Sequence, residues 1–194
     1  MSDAAKWDRK YRRKEHRNEL TPDPLLVEYS DRFEPAHTVI DLACGTGRNA
    51  VFVAKLGCFT VALDCSREAL RRCKTLAQES DVQIHAIAAD LNETRLATES
   101  TDAIVCFNYL NLELAENMQA ALRPGGLLIM KTFNQNFLNI NPRFNSDYVL
   151  KPGSLKTAFN QLRIVAADDD CVPQSKTKSF IVAQKPDRSS PPRT

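Results

Sequence analysis

Residues 38–64, TVIDLACGTGRNAVFVAKLGCFTVALD, decide the fold of this chain. The apolar, β-branched residues between His37 and Ala43 predict a strand buried on both faces, as in a parallel sheet. A glycine-rich turn follows, and a helix closed by Gly57 leads into a second strand, CFTVALD. This order of strand, turn, helix and strand predicts a Rossmann-like βαβ unit.

The rest of the chain continues to alternate helices with strands. Helices are predicted over 66–80, 111–126 and 154–161, and strands over 81–90, 101–110, 127–133, 162–170 and 179–185. The predicted fold class is therefore α/β: a doubly wound, Rossmann-like three-layer sandwich with a mostly parallel seven-stranded sheet. The last two strands are expected to close that sheet as an antiparallel hairpin.

Composition narrows the function classes before any motif is considered. The 194 residues carry 26 Lys and Arg against 24 Asp and Glu, so the net charge of +2 is too small for a surface built to hold nucleic acid or a membrane. Six cysteines without a CxxC pair and three scattered histidines predict neither a disulfide framework nor a metal site. Without a membrane-spanning run or an apolar leader, we expect a cytoplasmic protein.

The turn at residues 45–50, GTGRNA, satisfies the GxGxxA fingerprint, and Asp64 ends the next strand about twenty residues later. Glycines let the backbone approach a ligand closely, and the carboxylate can accept both hydroxyls of a ribose. An adenosine-containing cofactor is predicted. A tight turn that binds no ligand is the alternative.

Two carboxylates favour a cofactor that carries an amino acid. Asp41 lies four residues before Gly45, where it would repel a pyrophosphate and attract an ammonium group. Asp90 follows the third strand, where it can accept a hydrogen bond from the adenine amine. A short-chain dehydrogenase would need a Tyr-xxx-Lys pair, which the sequence lacks.

Taken together, VIDLACGTGRN, VALDCS, AAD and LRPGGLLIMKTF resemble the motifs of class I S-adenosylmethionine-dependent methyltransferases over residues 38–133. ACGTGRNA together with the amino-terminal WDRKY is similar to the tellurite-resistance and thiopurine methyltransferase-like group. The chain departs from that group at Asn108-Tyr109-Leu110, where relatives often carry Arg-Tyr-Leu. The resemblance implies an amino-terminal helical cap at 1–37 and a methyltransferase domain at 38–184. The composition of KPDRSSPPRT predicts a disordered tail at 185–194.

The resemblance also implies S-adenosyl-L-methionine as the cofactor and a set of residues that bind it. This set comprises Trp7, Tyr11, Asp41, Ala43, Cys44, Gly45, Gly47, Arg48, Asn49, Asp64, Cys65, Asp90, Leu91, Asn108 and Tyr109. Several members have a purely structural alternative. The two cysteines can be small turn residues, and Asp90 can be a helix cap or a solvated loop carboxylate. Arg48 and Asn49 can hydrogen-bond within the first helical turn, and Trp7 and Tyr11 can staple the amino-terminal helix to the core.

The residues of segment 133–150, which are mostly Asn, aromatic and uncharged, predict methyl transfer to a small, soft or thiol-like acceptor, bound by Tyr109, this segment and the amino-terminal helix. A soft nucleophile needs no general base, so no catalytic residue is assigned; His16 and Lys131 are the ionisable candidates. A nucleic-acid or protein methyltransferase, or a catalytically silent cofactor-binding regulator, is the alternative. Nucleic acid is disfavoured as the substrate because the basic run KWDRKYRRKEHR resembles a solvated helical face. We expect a monomer or homodimer that does not contact a membrane.

Overall fold

The computed structural model describes residues 3–13 and 20–188, which form two compact units divided between Arg95 and Leu96. Unit 1 carries three parallel strands and four helices. Their bounds are α1 Asp3–Arg12, α2 Pro24–Glu28, β1 Thr38–Leu42, α3 Arg48–Lys55, β2 Phe59–Asp64, α4 Arg67–Glu79 and β3 His85–Ala88. A single 3-10 turn, Ser30–Arg32, follows α2.

The predicted βαβ unit is present in unit 1. β1 pairs in parallel with β2, with Asp41 opposite Ala62, and β2 pairs in parallel with β3. Small apolar side chains let α3 and α4 pack closely on these strands. The buried cluster there consists of Cys44, Ala50, Ala62, Leu70 and Cys73, with Ile84 and Ala86 against it.

Unit 2 contains the rest of the sheet. Its elements are β4 Thr101–Phe107, α5 Ala115–Ala121, β5 Leu122–Phe133, α6 Phe137–Ile140, α7 Ser154–Ala158, β6 Arg163–Asp168 and β7 Lys178–Gln184. β4 and β5 are parallel, whereas β7 pairs antiparallel with both β5 and β6. The seven-stranded sheet has the order β3-β2-β1-β4-β5-β7-β6, so the predicted fold class and closing hairpin are confirmed.

The fifth strand begins earlier than predicted. Residues 122–126, LRPGG, were expected to end a helix, but they are the first residues of β5. Gly125 N donates to Lys185 O and Lys185 N donates to Gly126 O, so both glycines take part in backbone pairing. Arg123 adds an ion pair of 2.6 Å with Asp102 on β4. These long-range partners replace the local helix stop that the Pro-Gly-Gly pattern predicts.

Other boundaries are shorter than the sequence pattern predicted. β3 covers four residues rather than 81–90, and α5 ends at Ala121. Lys185, the first residue of the predicted tail, bonds through its side chain to the carbonyls of Ala120 and Leu122. Residues 189–194, like His16, lie outside the described residues, and the domain boundaries at 37 and 184 stay predictions.

Candidate functional site

The glycine turn between β1 and α3 has a left-handed backbone at several positions. Ala43, Gly45 and Gly47 have φ of 55°, 55° and 87°. A Cβ on Gly47 would overlap the Cys73 side chain of α4, so glycine is required there by packing as well as by φ. A Cβ on Gly45 would lie 2.9 Å from Tyr11 Oη. The absence of a side chain at Gly45 therefore lets another group approach the turn closely, and in this structure that group is the Tyr11 side chain of α1.

Asp64 connects the glycine turn to the next helix. Its Oδ2 accepts from Gly45 N at 2.8 Å, and its Oδ1 accepts from Ser66 N at 2.8 Å. Burial raises the pKa of Asp64, while the two backbone hydrogen bonds act in the opposite direction. Each carboxylate oxygen keeps a further lone pair. The side chain can thus organise the turn and still accept from a ligand hydroxyl.

Asp41 is the most unusual polar group of unit 1. The residue is only 1% exposed, and its Oδ2 is buried without a hydrogen-bond partner among the described residues. Burial, reinforced by the nearby charge of Asp64, raises the pKa of Asp41 to about 8. A buried acceptor without a partner costs free energy that a donor on a ligand would recover. A cationic donor suits this position best.

The aromatic pair of α1 lies beside the same turn. Trp7 and Tyr11 stack with ring centroids 5.9 Å apart, which confirms that their i,i+4 spacing puts them on one face. The Lys10 ammonium lies 4.2 Å from the Trp7 ring centroid. Burial and the charge of Asp64 raise the pKa of the Tyr11 phenol, so Tyr11 is a neutral hydrogen-bonding group.

The two turn cysteines are protonated thiols. A hydrogen bond with Cys73, followed by burial, raises the pKa of Cys44, and Cys44 Sγ lies 3.6 Å from Gly45 O. Burial and the neighbouring Asp64 charge raise the pKa of Cys65 to about 11. Neither residue has the lowered thiol pKa that a nucleophile needs. Both are suited to packing, and Cys65 is the more exposed of the two.

Arg48 and Asn49, at the start of α3, contact the segment before α2. Arg48 Nη1 donates to Thr21 O at 3.2 Å, and Arg48 Nη2 lies 3.8 Å from Asp23 Oδ2. Asn49 Oδ1 accepts from Asp23 N at 2.9 Å. These bonds anchor α2 to the helix that follows the glycine turn. Their predicted role in cofactor binding remains untested.

Asp90 and Leu91 follow β3. Asp90 is exposed, and its Oδ1 accepts from Asn92 N at 3.0 Å in a local turn, the structural role foreseen as an alternative. Leu91 is 4% exposed. A contact with an adenine edge stays a prediction for both residues.

In unit 2, Asn108 and Tyr109 follow β4. Asn108 has φ of 58°, and its Oδ1 accepts from Lys178 Nζ at 2.7 Å. The Lys178 ammonium also lies 4.8 Å from the Phe133 ring centroid. Sequence reasoning missed Lys178, since only the antiparallel register of β5 and β7 brings it opposite Phe133. Tyr109 is half-buried.

Three phenylalanines form a cluster after β5. Phe133 lies 4.3 Å from Phe137 and 5.5 Å from Phe144 between ring centroids, and the last two meet edge to face at 5.0 Å. The sequence predicts that the segment 133–150 forms a substrate wall, and the alternative is that Phe137, Phe144 and Tyr148 only pin this loop. The cluster is compatible with both, because Phe133, Phe137 and Phe144 all retain partial exposure.

Metal and membrane features can be assessed over the part of the chain that the structure describes. Within residues 3–13 and 20–188, no group of three His, Cys, Asp or Glu side chains is placed to hold a metal ion. No helix in the same ranges is long and apolar enough to cross a bilayer.

Lys131, one of the two ionisable candidates, lies on β5 with its carbonyl accepting from Asn108 N at 2.8 Å.

Comparison with known proteins finds a family domain that matches the region containing the glycine turn. The family model described as "Methyltransferase domain" matches residues 39–126, which includes the glycine turn, Asp41, Asp64 and Asp90. A ubiquinone biosynthesis O-methyltransferase of Xanthomonas axonopodis pv. citri (strain 306) is 31% identical over 123 residues, covering 58% of this chain and 51% of the relative.

A carboxy-S-adenosyl-L-methionine synthase of Vibrio atlanticus (strain LGP32) is 30% identical over 116 residues, covering 52% of this chain and 47% of the relative. The chain therefore spans about half the length of these curated relatives.

Solved structures agree on the fold. An S-adenosylmethionine-dependent methyltransferase from Mesorhizobium loti superposes with a TM-score of 0.65 at 17% identity, covering 82% of this chain and 96% of that one. A structure described as "Conversion of a Disulfide Bond into a Thioacetal Group during Echinomycin Biosynthesis" gives 0.74 at 18% identity, covering 96% and 94%. The match over residues 39–126 is to a methyltransferase domain, and the fold is shared with S-adenosylmethionine-dependent methyltransferases, whose cofactor is S-adenosyl-L-methionine.

The residues of unit 1 fit that cofactor. The unpartnered Oδ2 of Asp41 can accept from the ammonium of its methionine part, and Asp64 can accept from its ribose hydroxyls. A pyrophosphate would place negative charge beside Asp64 and would offer no donor to the unpartnered oxygen of Asp41. The chemistry of these oxygens therefore favours a ligand with a positive amino group.

Proposed function

We propose that this protein transfers a methyl group from S-adenosylmethionine to a small, soft or thiol-like acceptor. The observation that carries the proposal is the buried Asp41 carboxylate, which has an unpartnered oxygen next to a left-handed glycine turn. A dinucleotide site would gain nothing from this buried acceptor, whereas an amino-acid ammonium would satisfy it.

Different residues of unit 1 would bind different parts of the cofactor. We assign Asp41 to the ammonium, the backbone of residues 43–47 to the methionine part, and Asp64 to the ribose. Cys65, Asp90 and Leu91 are assigned to the adenine edge by resemblance. When bound, S-adenosylmethionine supplies an electrophilic methyl group on its sulfonium.

The chain's own contribution to the reaction is to hold the reactants and exclude water. Alignment of a nucleophile with an electrophile can supply several kcal/mol without any acid or base. Trp7 and Tyr11 have aromatic faces suited to a sulfonium, as to other cations. We propose that α1 acts as a cap and that residues 1–37 form a distinct cap segment before the domain at 38–184, with 185–194 as a tail.

The segment 133–150 supports a small acceptor. It is rich in Asn and Phe, and Arg143 is its only cationic residue, which is too little charge to follow a phosphate backbone. Its three clustered phenylalanines provide apolar surface after β5. Asn108 and Tyr109 follow β4 in the same unit, and their role in cofactor binding stays a prediction from the sequence resemblance.

A small hydroxyl acceptor is the second candidate. One relative is an O-methyltransferase by name, which favours an oxygen nucleophile. The other relative makes a derivative of S-adenosylmethionine, so the two names share the cofactor and differ in the second substrate. A hydroxyl usually requires a general base, whereas a thiolate does not. Lys131 on β5 is the described residue that we would test in that role.

Calorimetry and product analysis test the proposal. S-adenosylmethionine and its demethylated product should bind with micromolar affinity, and NAD far more weakly. Release of S-adenosylhomocysteine should then be screened over thiols, chalcogen oxyanions, phenols and nucleic acids. Tighter binding of NAD would contradict the cofactor assignment. Cofactor binding without turnover on any acceptor would favour the regulatory alternative.

A further inference from the structure

The Asp8 carboxylate of helix α1 makes hydrogen bonds to the start of α4. Asp8 Oδ1 accepts from Ser66 Oγ at 2.6 Å and from Glu68 N at 3.1 Å. Ser66 is the N-cap of α4, and its Oγ also accepts from Ala69 N at 3.1 Å. Asp8 therefore adds a second, charged cap to the N-terminus of a thirteen-residue helix, where a negative charge is favourable.

The contact is made at the end of the strand that carries Asp64. Ser66 is completely buried, and its backbone N–H donates to Asp64 Oδ1 at 2.8 Å. Ser66 thus contacts both carboxylates, Asp8 through its hydroxyl and Asp64 through its backbone N–H, and Asp64 in turn accepts from Gly45 N. Asp8 is therefore linked through one residue to the carboxylate assigned to the ribose.

The same helix carries the two aromatic rings. Trp7 directly precedes Asp8, and Tyr11 follows one turn later with its Oη close to the position of a Gly45 Cβ. No residue of α1, Asp3–Arg12, is fully buried. Apolar burial therefore contributes less to the docking of α1 than to that of α3 and α4, which have buried residues, and Asp8 adds two hydrogen bonds to the start of α4.

Electrostatics keep the contact intact near neutral pH. The hydrogen bonds from Ser66 and Glu68 N lower the pKa of Asp8, and the positive charges of Arg12 and Arg67 lower it further. Arg12 lies 4.0 Å away on the same helix. Asp8 is therefore ionised, and hydrogen bonds to an ionised acceptor are stronger than those to a neutral one.

We propose that Asp8 is a positioning residue that holds Trp7 and Tyr11 over the cofactor, and that release of its contact with Ser66 and Glu68 opens the site for cofactor exchange. The inference rests on the proposed function, since it assigns the ligand as S-adenosylmethionine. It predicts that removing one carboxylate weakens cofactor binding through the loss of α1 docking.

Trp7 provides a direct readout, because it is the only tryptophan in the chain. Its emission maximum and its quenching by acrylamide report whether α1 is docked, without any cofactor present. The full chain should be compared with the variants Asp8→Ala and Asp8→Asn. Asp31→Ala is the matched control, because Asp31 is an exposed aspartate of unit 1 that lies outside α1.

In Asp8→Ala, the Trp7 emission should shift to the red and quenching should increase, while the dissociation constant for S-adenosylmethionine rises roughly tenfold or more. Asp8→Asn keeps a neutral acceptor and should lie between the wild type and Asp8→Ala in both measurements. The control should match the wild type. Far-UV circular dichroism should remain native, since β1, β2 and α4 keep their own pairing and packing.

Several outcomes overturn the proposal. Unchanged Trp7 signals in Asp8→Ala would mean that other contacts dock α1. A released Trp7 with unchanged cofactor affinity would mean that docking has no part in binding. If the wild type binds no S-adenosylmethionine, the proposed function fails instead, and the Trp7 signal still decides whether Asp8 docks the helix.

Discussion

The buried Asp41 makes the stability of this protein depend on pH in an unusual direction. Its folded-state pKa of about 8 lies above the ordinary value of 3.8. Between these two values, the unfolded chain is ionised at this carboxyl while the folded chain keeps its proton. The contribution of this group to the free energy of unfolding is therefore fully present below pH 4 and is lost as the pH rises towards 8. In Asp41→Asn, this contribution disappears.

The magnitude follows from the linkage between proton binding and folding. One proton changes the free energy of unfolding by about 1.4 kcal/mol per pH unit, so the window from pH 5 to pH 8 is worth roughly 4 kcal/mol. Asp41 is only 1% exposed, so solvent screening reduces this little. An amide nitrogen placed at the unpartnered Oδ2 costs about 1–3 kcal/mol, but this cost is independent of pH.

Urea unfolding of the wild type and Asp41→Asn at pH 5, 7 and 9, without cofactor, measures the effect. The difference in unfolding free energy should move in favour of Asn by roughly 4 kcal/mol between pH 5 and pH 9. The exposed substitution Asp31→Asn serves as the charge-matched control. A difference for Asp41→Asn that stays constant over this range would refute the reasoning. The variant should also bind S-adenosylmethionine more weakly, because the ammonium loses its charged partner.

Three further perturbations follow from the same geometry. Asp64→Ala should cost about 1.5–3 kcal/mol in cofactor binding by calorimetry, since it removes a charged acceptor, and an unchanged affinity would exclude the ribose role. Deletion of residues 1–20 should reduce turnover more than the melting temperature, because β1 begins at Thr38, whereas loss of folding would make α1 a core staple. Gly47→Ala should destabilise the chain by roughly 2 kcal/mol or more in urea unfolding, because its Cβ meets Cys73 at a positive φ; wild-type stability would contradict this.

The salt dependence of turnover separates the acceptor classes. Methylation of RNA or DNA should fall steeply between low and physiological ionic strength, because phosphate contacts release counterions. Turnover of a small neutral acceptor should change little over the same range. Activity on nucleic acid with a steep salt dependence, and none on any thiol, chalcogen compound or phenol, would overturn the small-molecule proposal.

The sequence by itself determined the βαβ unit, the order of most later elements and the position of the glycine turn. These features are local: a run of β-branched residues, two glycines and a capping serine at 66 each specify a conformation with little help from the rest of the chain. The i,i+4 stacking of Trp7 on Tyr11 is predictable for the same reason. The carboxylates at 41 and 64 were foreseeable as polar residues at predicted strand positions.

Tertiary structure decided the features that depend on distant partners. β5 begins at Leu122 because Lys185, some sixty residues later, pairs with its glycines, and no local pattern can show that. Lys178 meets Asn108 only through the register of β7 on β5. Asp8 looked like one charge of a solvated helix, yet it caps α4 across 58 residues of sequence. Long-range hydrogen bonds form only after the rest of the fold has ordered the intervening chain and brought the two partners together. They therefore produce no local sequence pattern from which they could be predicted.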